Sequence, residues 1–81
     1  MDRLTIIVRA DWDDEAKVWV ATSSDVQGLA IEADTLEQLA ERVTGAIADL
    51  IELNGFESSL PEIPIQITAS QLTRVPNPRF A

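Results

Sequence analysis

The 81-residue chain contains no cysteine, no histidine and no tyrosine. Without cysteine it can form neither a disulfide nor a thiolate metal site, and its composition says nothing about redox compartment. Without histidine it lacks both the usual general base near neutral pH and the imidazole metal ligand. No run of 18 apolar residues occurs, so no membrane span is expected. The start, Met1-Asp2-Arg3-Leu4-Thr5-Ile6-Ile7-Val8, has no apolar stretch leading to a small-residue cleavage site, and a cytoplasmic protein is expected. Basic residues are scarce: six against fourteen acidic ones give a net charge of −8. That balance repels phosphate backbones, disfavours direct nucleic-acid binding and suits a basic protein partner, while also keeping the chain soluble. With 46% apolar and 25% charged residues, the composition is that of an ordinary globular domain.

One strong helix dominates what is present. Thr35 is placed to cap it, with Gln38 at the capping-box spacing, and Asn54-Gly55 ends it. Leu36, Leu39, Ala40, Val43, Ala46, Ile47, Leu50 and Ile51 follow the 3.6-residue period and form one apolar stripe. Glu37, Glu41, Asp49 and Glu52 turn the other way. They make a candidate face for a basic partner, although a charged helix face is most often simply solvated.

Before the helix, residues 3–10 alternate as a strand, with Leu4, Ile6, Val8 and Ala10 on one face and Thr5, Ile7 and Arg9 on the other. Asp11 to Glu15 reads as a hairpin loop. Residues 16–23 form a second strand, with Val18, Val20 and Thr22 on one face and Trp19, Ala21 and Ser23 on the other. A turn at Ser24 to Gly28 leads to a short third strand in which Leu29 and Ile31 share a face. After the helix, Ile63, Ile65, Ile67 and Ala69 alternate through a fourth strand extended to about Leu72, with Pro64 expected near its beginning because it cannot donate to a ladder. The tail from Val75 holds two prolines and is expected to be extended.

The expected fold is therefore α+β, in the order β-β-β-α-β: an antiparallel sheet with one helix packed on one face. Residues 1–74 form a single domain and residues 75–81 a C-terminal tail. One helix covers one face of a sheet. If Ile6, Val18 and Val20 point toward it, Ile7 and Trp19 lie together on the bare face, a candidate surface for homo-oligomerisation.

The order and turn chemistry resemble those of the HicB-like antitoxins, in particular their short, stand-alone bacterial relatives of unknown function. The residues that carry the resemblance are the acidic hairpin Asp11 to Glu15, the strand aromatic Trp19, the turn Asp25-Val26-Gln27-Gly28, the short strand Leu29 to Ala33 and the helix start Asp34-Thr35-Leu36-Glu37-Gln38-Leu39. The likeness covers about residues 3–55. Gln27 stands where the family usually has proline, and the chain stops at Ala81 without the DNA-binding extension that many members carry. The resemblance implies a truncated ribonuclease-H-like fold without nuclease activity, and a partner that is a small basic ribonuclease toxin.

On its residues the chain is not expected to be an enzyme. Ser23, Ser24, Ser58, Ser59 and Ser70 have no activating neighbour and no nucleophile-elbow pattern. A working ribonuclease-H-like site would need converging carboxylates holding metal ions, and the first strand has no acid between Leu4 and Ala10. Asp11, Asp13, Asp14 and Glu15 lack the glycine and distal glutamate of a calcium loop. No cofactor, no metal site and no catalytic residue are expected. The alternatives to a HicB-like binding protein are a self-assembling structural module and, least favoured, a metal-dependent nuclease using Asp11.

Overall fold

The computed structural model describes residues 5–55 and 60–80. Its elements are β1 (Ile6–Asp13), β2 (Val18–Thr22), β3 (Ala30–Ala33), α1 (Leu36–Asn54) and β4 (Ile65–Ser70). They build one four-stranded sheet in the order β3-β2-β1-β4. The α+β class and element order match the sequence expectation. The sheet is mixed rather than antiparallel throughout: β1 to β3 form an antiparallel meander, and β4 pairs with β1 in parallel. Chain direction explains this. Two hairpins leave β3 running the same way as β1, the helix carries the chain back, and β4 sets out again in the direction of β1.

Helix α1 begins where a side chain can replace a missing backbone partner. Thr35 is extended and its Oγ1 accepts from the Gln38 N–H at 3.1 Å. At the other end Gly55 adopts φ +79 and donates its N–H to the Ile51 carbonyl at 2.8 Å, a positive φ that is costly for a residue with a Cβ. Leu39, Val43 and Ile47 are the buried residues of the stripe, flanked by half-buried Ala46, Leu50 and Ile51, while Leu36 is 38% exposed.

Ladder pairing decides which residues face the helix. Ala10 lies opposite Ala21, Trp12 opposite Trp19, and Ala21 and Trp19 opposite Ile31 and Ala33. Ile6 and Val8 lie beside Ile65 and Ile67. Ile6, Val8, Ala10, Ala21 and Ala33 are buried with the helix stripe. The alanines at the centre let α1 approach the sheet closely, and it packs against β3 and β2. Val26 and Leu29 close the core from the β2–β3 turn, where Gly28 has φ +90.

This pairing corrects the expected faces of β2. Trp19 and Ala21 point toward the helix, and Val18, Val20 and Thr22 lie on the bare side. β1 runs on to Asp13, and only residues 14–17 form the turn, with Lys17 at φ 60 and its N–H donated to the Asp13 carbonyl at 2.7 Å. A change of one residue in hairpin register moves every side chain of a strand to the opposite face, and β2 is apolar on both. The structure starts β2 at Val18, not residue 16, and ends β4 at Ser70, not Leu72. Pro64 precedes β4, and its carbonyl accepts from the Ile6 N–H at 2.9 Å. Leu4, Ser58 and Ser59 lie outside the described residues.

Candidate functional site

The outer surface of α1 carries four exposed carboxylates, Glu37, Glu41, Asp49 and Glu52. At about 100° per residue, Glu37, Glu41, Thr44, Ala48 and Glu52 fall along one row, and Asp49 lies further round. The helix's one basic residue, Arg42, is turned away from that row, with Nη1 donating to the Glu32 carbonyl of β3 at 2.7 Å. Among the described residues none of the four carboxylates takes part in an ion pair. Among those residues the row is thus a negative strip with no intramolecular cation set against it.

Beside this row lies an apolar groove of about 350 Å³. Thr44, Ile47, Ala48 and Ile51 form its helix wall, and Leu60, Pro61, Ile63 and Ile65 form the other. It exists because α1 sits over β3 and β2 while β4 lies at the far edge of the sheet. The inward-facing isoleucines of β4 are consequently half-covered rather than buried. By helix periodicity Glu41 and Glu52 stand at its two ends. Sequence periodicity identified the stripe and the acids, but not this opening, which depends on the lateral position of the helix.

Ile7 and Trp19, expected to share a surface, are on opposite faces. Ile7 is 41% exposed on the bare side. Its N–H donates to Asp25 Oδ2 at 2.8 Å and its carbonyl accepts from Ser23 Oγ at 2.6 Å. Beyond the end of the β1–β2 ladder, side chains of the following loop have taken over the pairing of the backbone. Those partners are 16 and 18 residues distant in sequence, so no local pattern announced them. Trp19 is half-buried on the helix side, with its ring edge-on to Trp12 at 5.4 Å between centroids.

The hairpin acids are engaged one by one. Asp13 Oδ1 accepts from the N–H groups of Glu15 and Ala16, each at 3.1 Å. Asp14 Oδ1 accepts from Lys17 Nζ at 2.9 Å and from Trp12 Nε1 at 3.3 Å. Those bonds, Lys17 first, hold the Asp14 carboxyl below its ordinary value. Asp11 pairs with Arg9 at 3.3 Å. Among the described residues no three carboxylates converge as metal ligands would. Nor is any described helix long and apolar enough to cross a membrane.

A family model described as "Domain of unknown function (DUF1902)" matches residues 5–77. The chain belongs to the DUF1902 family. The match takes in all four strands and the helix. The structure also resembles the crystal structure of hypothetical protein TTHA1013 from the extremely thermophilic bacterium Thermus thermophilus, with a TM-score of 0.67 and 41% sequence identity over 90% of this chain and 99% of that one. No curated protein matches this DUF1902 chain.

Proposed function

We infer that this DUF1902 chain is a non-enzymatic protein-binding domain related to the HicB-like antitoxins, and that it binds and blocks a small basic ribonuclease. The observation that carries the reading is the strip of exposed carboxylates on α1, which has no counter-charge among the described residues, Arg42 being drawn to β3. A surface of one sign beside an apolar groove offers a basic partner both electrostatic attraction and contact area. The β-β-β-α-β order and the acidic hairpin, which carry the HicB resemblance, support the same reading. So does the use of Asp13 to close the hairpin turn and of Asp14 to pair with Lys17.

The test is affinity capture with the purified full chain from its native cell. The expected result is one small basic protein, recovered at a fixed ratio, whose RNA cleavage the chain suppresses. Replacing Glu41 and Glu52 by Lys should abolish the capture. Retention of the partner by that variant would place binding elsewhere, and absence of any basic partner would remove the antitoxin role. A second reading, a module that assembles with itself, is favoured by the exposed apolar residues of the C-terminal tail.

A further inference from the structure

After Ser70 the chain leaves the sheet and does not return to it. Residues 71–80 are exposed throughout, and Leu72, Val75 and Phe80 are 78%, 84% and 84% open to solvent. The Cα radius of gyration is 16.0 Å, against about 12 Å for a compact chain of this length, and the longest axis reaches 59 Å. Two prolines, Pro76 and Pro78, keep the arm from joining a β-ladder. Its tip is nonetheless shaped: Asn77 Oδ1 accepts from the Arg79 N–H at 2.9 Å and the Asn77 carbonyl accepts from the Phe80 N–H at 3.1 Å, a turn that presents Phe80. The arm carries Arg74 and Arg79 and no acid, in a chain of net charge −8.

We propose that this arm seats in the groove between α1 and β4 of a second copy of the chain, and that the second copy's arm seats reciprocally in the first. Among the described residues the groove has no charged residue in its walls, and by helix periodicity Glu41 and Glu52 stand at its ends, so it suits a segment with apolar side chains and two arginines. A chain's own arm departs from the opposite end of β4. Ser70 lies by Asp11, whereas the groove lies by Ile63 and Ile65, near Ile6. Among the described residues β4 is also a sheet edge, with no strand on its outer side. Two copies related by a two-fold axis, with their β4 edges side by side and antiparallel, bring the Ser70 end of one to the Ile65 end of the other. Each arm then continues along the partner's groove, a self-complementary arrangement that closes at two copies. It covers both exposed β4 edges as well. The groove borders the acidic row assigned to a basic partner, so arm and partner would compete for it. The arm variant Val75→Asp with Phe80→Asp, which leaves the groove and the acidic row unchanged, separates the two readings.

The test is sedimentation velocity and light scattering on the full chain, alongside two exposed-site variants checked for native circular dichroism. One is the arm variant Val75→Asp with Phe80→Asp, and the other is the groove variant Ala48→Arg. The wild type should have twice the 8.9 kDa chain mass, and each variant should be monomeric. Because the chain has no cysteine, Ala48→Cys and Phe80→Cys supply the only thiols. A mixture of the two single variants should give a covalent dimer with a short bismaleimide, joining one chain's position 48 to the other's position 80. A monomeric wild type, or a dimer that survives the arm variant, overturns the proposal. Loss of the dimer with unchanged capture of a basic protein would leave the functional reading intact.

Discussion

Ile6 and Ile7 are neighbours in one strand and carry the same side chain, yet Ile6 is fully buried and Ile7 is 41% exposed. The same division runs through β2, where Ala21 is buried against the helix while Val20 and Thr22 lie on the bare side. One helix gives this sheet one dry face. The other face is held by polar means instead: Ser23 and Asp25 clamp the Ile7 backbone, and Arg9 pairs with Asp11. Stability is therefore concentrated on the helix side, and the bare side and the outer surface of α1 are free to vary or to bind.

That asymmetry is open to direct attack. The largest difference is expected between Ala21→Asp and Thr22→Asp. The first buries an unpaired charge beneath α1 and should leave the chain unfolded by circular dichroism. The second changes a side chain in water and should shift stability by about 0.5 kcal/mol or less. Next, Ile6→Ala should cost about 2–5 kcal/mol in urea unfolding through lost burial and a residual cavity, whereas Ile7→Ala should cost under about 1 kcal/mol. Equal losses would mean that the bare face is covered in solution.

On the outer surface of α1 the expected sign reverses. Nothing lies within 4 Å of a Cβ added at Gly45, so Gly45→Ala should raise the unfolding free energy by about 0.5–1 kcal/mol through helix propensity. Smallest is the hairpin tip. The lowered Asp14 pKa makes the Lys17 and Trp12 contacts a stabilising element that is complete above the ordinary value of 3.8 and fades as pH falls below it through the lowered folded value. NMR titration should find the Asp14 carboxyl below its ordinary range and should see it rise toward that range in Lys17→Met. Unfolding midpoints should barely register the change, because the group is in water.

Much of the fold was legible in the residues. The Thr35 cap, the Gly55 stop and the apolar stripe placed the helix, because these signals act within one or two turns of the chain. Alternation placed β1 and β4 and assigned Ile6, Val8 and Ala10 to the core. The face of β2 was not legible, since Val18 and Val20 compete with Trp19 and Ala21 for the same role. The length of the turn at residues 14–17 settles between them. The candidate site was half legible: Glu37, Glu41, Asp49 and Glu52 stood out as the polar side of a helix, while the groove beside them and the clamp on Ile7 did not.

The division has one physical cause. What the sequence by itself determined, namely the elements, their caps, the acidic strip and the projecting proline-bearing tail, rests on interactions between residues a few positions apart. What only the tertiary structure decided is where those elements come to rest against one another: the register that turns Trp19 inward, the parallel seating of β4, and the placement of α1 over β3 and β2. Each depends on contacts between residues far apart in sequence, where small side chains such as Ala10, Ala21 and Ala33 set the approach of the helix and leave the β4 side open.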